Sequence, residues 1–323
     1  EGCHGAASGW IASHYTVGAS HAANVAAGMR ALDNPQVRAN LCLNCHFGSD
    51  APGQFVTHAM MAAGHPRVVF ELDLFSSLQQ HWDDDGDYQR RKSSSDSVRL
   101  WAVGQAEAVQ RSVALFTRPG LGTDGIFPEF YFFDCHSCHR GIDDRPDRKR
   151  TFETNPGRPA PFGLPPYNDE NMIMLSAVGQ SLAPGVAAQF DAAVRGFHTS
   201  VGKSRGDIVA AANRLHGAAG NLANAIAGAA QGGDAAMRVV AAIGGKAISP
   251  RFTDYTGSAQ AVMAVDTLLN AMVRDGRITV GAAAGIRANL NRAYAAVESP
   301  ATYNPPAFRT ALGQAVRAIE ALR

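Results

Sequence analysis

Four of the five cysteines stand in two C-x-x-C pairs, and each pair runs straight into a histidine. Residues 42–46 read C-L-N-C-H and residues 135–139 read C-H-S-C-H. Two thiols at this spacing can add across the two vinyl groups of one haem, and the adjoining histidine becomes the proximal iron ligand. Cys42/Cys45 and Cys135/Cys138 are therefore expected to hold haem c, with His46 and His139 on the irons. The fifth cysteine precedes His4 in E-G-C-H-G. One cysteine immediately before Glu1 would complete the same motif, so Cys3 and His4 are expected to form a third haem site. A single thioether at Cys3 and a stray Cys-His pair are the alternatives. At least three haems are expected.

A zinc ribbon also uses two C-x-x-C knuckles, but they sit closer together than the about ninety residues between Cys45 and Cys135. It also has no need of a histidine directly after each pair. A redox dithiol of the thioredoxin type needs one C-x-x-C opening a helix within a βαβ pattern, and no such pattern is visible.

Of eleven histidines, nine lie before residue 140. Once His4, His46 and His139 are assigned, His14, His21, His58, His65, His81 and His136 remain in that stretch. An electron-transfer haem takes a second strong axial ligand, which keeps substrates off the iron. His14 and His21 are seven apart, as are His58 and His65. On a helix that spacing is two turns, so each pair is expected to share a face and to serve two irons. His81 comes next, and His136, squeezed inside a motif, stands behind it. Met29, Met60 and Met61 are the alternative distal ligands, with packing against porphyrin as the ordinary role of Met60 and Met61. Bis-histidine ligation and low potentials are expected.

Four segments carry a resemblance: E-G-C-H-G-A-A-S-G-W-I-A-S-H, L-C-L-N-C-H-F-G, T-H-A-M-M-A-A-G-H-P-R-V-V-F-E-L and F-D-C-H-S-C-H-R. Residues 1–140 resemble the cytochrome c554-type multihaem family, related to the hydroxylamine-oxidoreductase and pentahaem nitrite-reductase cytochromes. The resemblance implies that a histidine soon after the first motif ligates another haem, a position His14 matches. It implies distal ligation by the G-H-P-R histidine, His65, with His58 one step behind. Relatives carry further haem motifs upstream of the one matching Cys3-His4, so the resemblance also implies upstream sequence. No family motif is evident in the remainder of the chain.

The elements that must position these groups divide the chain in two. Eighteen of the 25 aromatic residues precede residue 170, as expected of a region that builds its core from aromatic and porphyrin surface. Residues 1–155 are expected to form a multihaem domain with little regular structure. A helix over 97–116 is the exception, with Val98, Trp101, Gln105, Val109, Val113 and Phe116 at three-to-four spacing. The charged run 140–150 reads as a solvated loop. Five prolines in 156–166 exclude a helix and mark a domain boundary. Residues 167–323 read as an antiparallel helical bundle, so the fold is expected to be mainly α. Its apolar stripes are Ile208-Ala212-Leu215-Ala219-Leu222-Ile226, Val262-Val265-Leu269-Met272, Ile286-Leu290-Ala293-Val297 and Phe308-Leu312-Val316-Ile319-Leu322. Gly-Gly at 232–233 and 244–245, Ser249-Pro250 and Asn304-Pro305 punctuate them. His198 and His216 read as capped or exposed histidines. The run Asp83-Asp84-Asp85-Gly86-Asp87 mimics a calcium loop, but its twelfth position is Ser94, so a solvated turn is expected.

With 46% hydrophobic residues, 18% charged and a net charge of +1, the chain can build a sizeable core and has no field that favours nucleic acid. No apolar run approaches the roughly 18 residues of a membrane span. Two function classes follow. One is electron transfer through closely packed haems, with other cytochromes, redox proteins or further copies of the chain as partners. The other is a redox enzyme acting on a small nitrogen or sulfur compound at one open-sited haem. Covalent haem attachment takes place outside the bacterial cytoplasmic membrane, so a periplasmic or extracellular location is expected. The His4 haem is expected at an edge, where a neighbour or upstream segment brings another haem close.

Overall fold

Helices dominate because short polar side chains repeatedly precede apolar runs. The computed structural model describes residues 2–81, 83, 85–91, 96–121, 129–140, 157–160, 163–229, 234–249 and 254–322, with the backbone alone at 89 and 91. Of these residues 67% are helical, in 14 α-helices, and no sheet occurs among them. The protein is mainly α.

The first six helices are short: α1 (Ile11–His14), α2 (His21–Ala26), α3 (Pro35–His46), α4 (His58–Ala62), α5 (Leu72–Leu78) and α6 (Gly86–Arg91). Caps explain where four of them start. Ser20 accepts from the Ala23 amide, Asn34 from Gln36 and Val37 with Pro35 at the first helical position, Thr57 from Met60, and Glu71 from Asp73 and Leu74. The acidic run at 83–87 opens α6, where exposed Asp85 accepts from the Asp87 and Tyr88 amides at 3.0 and 2.8 Å. Asp84 and the charged run after residue 140 lie outside the described residues.

α7 (Ser97–Phe116) matches the expected helix and does more than expected. Beyond its predicted stripe it also buries Leu100, Ala102, Val103, Gly104, Ala106, Ala108 and Leu115. A helix apolar nearly all round must be covered on all sides. Here α3 and α5 lie on it from the first half, and helices of the second half lie on it from the other side. At Gly104 a Cβ would stand 2.5 Å from the Leu72 Cβ, so only glycine lets α5 approach this closely. Gln105, predicted among the apolar positions, is 1% exposed because amides satisfy it. Asn171 donates to it at 2.8 Å, and it donates to Gln260, which in turn donates to the Phe70 carbonyl at 3.0 Å.

The second half comprises α8 (Glu170–Leu182), α9 (Pro184–Ser200), α10 (Arg205–Ala229), α11 (Ala235–Ala247), α12 (Tyr255–Arg274), α13 (Val280–Ala295) and α14 (Pro305–Glu320). α9 packs on α10 across a connection of four residues, and α13 packs on α14, so each pair forms an antiparallel hairpin. The four predicted stripes are buried, except that Leu322 lies past the end of α14 and is 43% exposed. Gly244-Gly245 does not break a helix. It lies inside α11, where a Cβ on Gly244 would meet Val316 at 2.7 Å, so the residue is small for helix packing. Gly232-Gly233 and Pro250 lie outside the described residues.

One apolar core runs from Ala39 to Ile319, across the proline-rich segment expected as a boundary. The described parts of that segment are not helical. They bring Arg158 into the interior, where it pairs with Asp169 and, at 2.7 Å, with Asp254. Asp169 also accepts from His198 at 2.9 Å, so this histidine is buried and paired rather than exposed. His216 is exposed on α10.

Candidate functional site

Cys42, Cys45 and His46 occupy the last turn of α3. Ala39 and Leu43, both 0% exposed, form the face that packs on α7. The i, i+3, i+4 spacing puts the two thiols and the imidazole together along the edge of that same face. There Cys45 is exposed and Cys42 half-buried. The helix ends at Gly48, whose φ of 80° only glycine adopts readily. The His46 Nδ1 lies 2.5 Å from the Val69 carbonyl. A carbonyl can only accept, so Nδ1 carries the proton and Nε2 is the atom left to bind a metal. Phe75 and Phe70 brace the ring at 4.8 and 5.7 Å.

Cys135, Cys138 and His139 are held by one turn of 3-10 helix (Cys135–Ser137) instead of an α-helix. Asp134 accepts from the Ser137 amide at 2.8 Å, and the His139 amide donates to the Cys135 carbonyl at 2.8 Å. A single antiparallel bridge, Phe133 to Tyr167, fastens this turn to the start of the second half. Burial pushes the Cys135 thiol up, against the opposing charge of Arg67. Arg67 pairs with Glu170 at 2.5 Å and lies 5.7 Å over the Tyr131 ring. Burial, followed by the Asp254 charge, pushes the Asp134 carboxyl up to about 7. The Nε of Arg67 and Oδ1 of Asp134 are buried without a hydrogen-bond partner among the described residues.

Cys3 and His4 are exposed. The His4 carbonyl accepts from the Arg30 amide at 3.0 Å, which ties the segment to the loop before α3. Burial, followed by the Cys3 charge, pushes the Cys42 thiol up.

Two of the three motif histidines face a second histidine. His4 and His81 have ring centres 5.9 Å apart, and His58 and His139 have ring centres 6.1 Å apart. A metal–imidazole bond is about 2 Å long, so two imidazoles on opposite sides of one metal have ring centres roughly 6 Å apart. Glu129 sets the second pair by accepting from the His58 amide at 2.7 Å and from Tyr131 at 3.0 Å. The rings described against His46 are Phe70 and Phe75, not histidine.

The expected sharing of a helical face does not hold. His14 ends α1 and His21 begins α2, with Gly18 at a φ of 84° and the Ser20 cap between them. His58 begins α4, while His65 lies beyond its end, after Gly64 at a φ of 105°. Gly64, directly after the Ala63 C-cap, ends α4, while α1 already ends at its Tyr15 C-cap and Gly18 turns the chain before α2. His21 Nε2 lies 3.0 Å from Asp33, and the His14 ring packs on Trp10. His65 Nδ1 donates to the Pro66 carbonyl at 2.7 Å, and His81 Nδ1 to the Gln79 carbonyl at 3.1 Å. Both bonds fix the tautomer that offers Nε2. His136 donates through Nδ1 to the Pro300 carbonyl at 2.7 Å and packs on Tyr303, which ties it to the second half. Met29 is buried, Met61 packs on the core and Met60 is exposed.

No family model matches the chain, and no curated protein or solved structure is significantly similar to it.

Among the described residues no group of three or more His, Cys, Asp and Glu side chains stands ready to hold a metal ion. All five cysteines are described and none is disulfide-bonded. A structural zinc site needs four such ligands in one cluster, whereas a haem iron needs two. Porphyrin also fits the surface here. Of the ten large apolar side chains left exposed, eight precede residue 131, and Val69, Met60, Leu78 and Phe130 all flank candidate histidines. No described helix is long and apolar enough to cross a membrane.

Sequence reasoning missed the groups around the ligands: the Val69 carbonyl, Glu129, Arg67 and the buried carboxyls. Glu71 and Asp73, charged residues inside the apolar run V-V-F-E-L-D-L-F, were the signal available for the carboxyls.

Proposed function

We propose that this chain is a c-type multihaem cytochrome that carries electrons between closely spaced haems, similar in its first 140 residues to the cytochrome c554-type family. The observation that carries this reading is the pairing of His4 with His81 and of His58 with His139 at 5.9 and 6.1 Å. Each pair joins a motif histidine to one from outside any motif. When bound, haem c supplies one-electron chemistry at an iron closed on both faces. Cys3, Cys42, Cys45, Cys135 and Cys138 anchor it covalently, and His4, His46 and His139 bind from the motif side. His81 and His58 bind opposite His4 and His139, while His14, His21 and His65 are the remaining donors. The location is periplasmic or extracellular, and the partners are other redox proteins or further copies of the chain.

A second reading, a redox enzyme with one open iron, is favoured by one observation. His46 has phenylalanines rather than a histidine against it. The experiment is visible and magnetic spectroscopy of the haem-loaded protein with His58→Ala and His81→Ala. Each change is expected to convert one haem from low-spin to high-spin. Unaltered spectra in both variants would contradict the pairing. High-spin iron in the unaltered protein, together with binding of a small nitrogen oxyanion, would favour the enzyme.

A further inference from the structure

A C-x-x-C-H motif makes no demand on the residue after its first cysteine, yet in C-H-S-C-H a histidine stands there and its ring is committed. His136 Nδ1 lies 2.7 Å from the Pro300 carbonyl, which can only accept, so Nδ1 donates. The ring also meets the Tyr303 ring edge-on, with centres 5.0 Å apart. Both partners belong to the connection between α13 and α14, and Pro300 is 164 residues further along the chain.

That connection is a firm receiver. The Asn304 amide donates to the Ala296 carbonyl at 3.0 Å and closes it, and the Thr302 amide donates to the Ser299 carbonyl at 3.2 Å within it. Tyr303 is buried, with its hydroxyl 2.7 Å from the Ser258 hydroxyl and 3.2 Å from the Asp254 carbonyl. Asp254 pairs in turn with Arg158 at 2.7 Å. The ring on which His136 rests is therefore anchored in the buried ion group of the second half.

The motif turn has few other fastenings. Ahead of it, the Asp134 amide donates to the Pro166 carbonyl at 2.9 Å and the Asn168 amide to the Phe132 carbonyl at 2.8 Å. From Cys135 onward the Ser137, Cys138 and His139 amides all bond back within the turn. Among the described hydrogen bonds of residues 135–139, that of His136 is the one that reaches beyond 134–140. His139 hangs from this turn, its amide on the Cys135 carbonyl at 2.8 Å. His58, with its ring centre 6.1 Å away, hangs from a separate support, the Glu129 carboxylate on its amide. Two imidazoles that close on one metal leave little slack, because each bond is only about 2 Å long. A turn free to swing would carry His139 away from His58.

We propose that His136 is a positioning residue: its hydrogen bond to Pro300 fixes the motif turn against the second half and so keeps His139 facing His58. This rests on the cytochrome reading above. His136 acts through His139 and not on the iron itself. The donor at Nδ1 is what counts, so an asparagine, whose amide nitrogen falls near the same place, can serve, whereas alanine offers no donor.

The test is visible and magnetic spectroscopy, with potentiometry, of the haem-loaded protein in His136→Ala and His136→Asn. The haem concerned is the one lost in a Cys135→Ala/Cys138→Ala variant. In His136→Ala its low-spin signal is expected to fall, a high-spin signal to appear and its midpoint to rise, as the iron loses part of its second imidazole. The other haems keep their spectra. His136→Asn is expected to restore both the spectrum and the midpoint. Nitrogen NMR of the unaltered protein, reduced to its diamagnetic state, needs no variant to fold and is expected to find the His136 proton on Nδ1. An unchanged spectrum and midpoint in His136→Ala, an asparagine variant no better than alanine, or a proton on Nε2 would overturn the proposal. The cytochrome reading stands through any of these as long as His58→Ala still turns the same haem high-spin. A protein without covalent haem would overturn both.

Discussion

Residues 2–91 and residues 167–322 solve the same problem by different means. The later region builds its core from long helices of its own packed together with α7. Helices of 13 to 25 residues lay continuous apolar stripes against one another, and residues such as Leu215, Leu222, Leu269, Leu290 and Phe308 are 0% exposed. The earlier region has helices of 4 to 12 residues, and from Ile11 to Ala23 every residue is exposed. Isolated helices of that length are unstable in water. Ile11, Tyr15 and Val17, at 49%, 78% and 102% exposure, are left uncovered by the described residues. The difference teaches that the first region builds little core of its own from the described residues, which is what the proposed haem sites would supply.

The largest break in this comparison should come from withholding haem. Protein made without covalent attachment is expected to lose hydrogen-exchange protection over residues 2–46 and 58–81, while α8 to α14 keep theirs. Equal loss in both regions would mean that the second region does not stand on its own packing.

Asp169→Asn strikes the buried group of Arg158, His198 and Asp254. It removes one of the two carboxylates on Arg158 and the acceptor of His198, and a loss of about 3 kcal/mol in denaturant unfolding is expected. In the unaltered protein, burial pushes the Asp169 carboxyl up, but Arg158 and then His198 hold it below the usual carboxylate range. Its contribution is therefore present above the unfolded value of about 4 and is lost as pH falls through the lower folded value.

The buried carboxyls of α5 have the opposite sign. Glu71 is pushed up to about 8 by burial and by Asp73, so its protonated form belongs to the folded state. Its contribution is complete below the unfolded value of about 4.3 and declines as pH rises through the folded one, by at most about 1.4 kcal/mol per pH unit. Glu71→Gln is expected to unfold at progressively higher denaturant than the unaltered protein as pH rises from 5 to about 8. A difference that stays constant with pH would show that Glu71 is ionised in the folded chain.

The smallest effect sharpens the contrast from the other end. Val280, 75% exposed at the start of α13, should tolerate alanine within about 0.5 kcal/mol. Tyr15, equally exposed, should tolerate it in haem-free protein but lower thermal stability in the loaded one if porphyrin covers it.

Periodicity was enough for the second region because its helices obey it. Val262, Leu269, Ile286 and Phe308 are where a 3.6-residue repeat puts a core. Periodicity misled at Gly244, where a small residue reports close packing against Val316 rather than a break. The C-x-x-C-H motifs and the excess of histidine in the first region are read directly off the sequence. Their arrangement is not. Seven-residue spacing suggested shared helical faces for His14/His21 and His58/His65, but α1 stops at His14 and Gly64 ends α4 first. The approach of His58 to His139 spans 81 residues and depends on Glu129 reaching the His58 amide, which no local pattern encodes. His81 came after four other histidines in sequence reasoning, yet it is the one beside His4.

Intact mass spectrometry of the chain produced in a host that attaches c-type haem tests the central claim most directly. Three covalent haems are expected, one each on peptides containing Cys3, Cys42/Cys45 and Cys135/Cys138, with a low-spin spectrum on reduction. A mass equal to the bare polypeptide, or one that keeps two or more zinc ions under native conditions, would contradict the account.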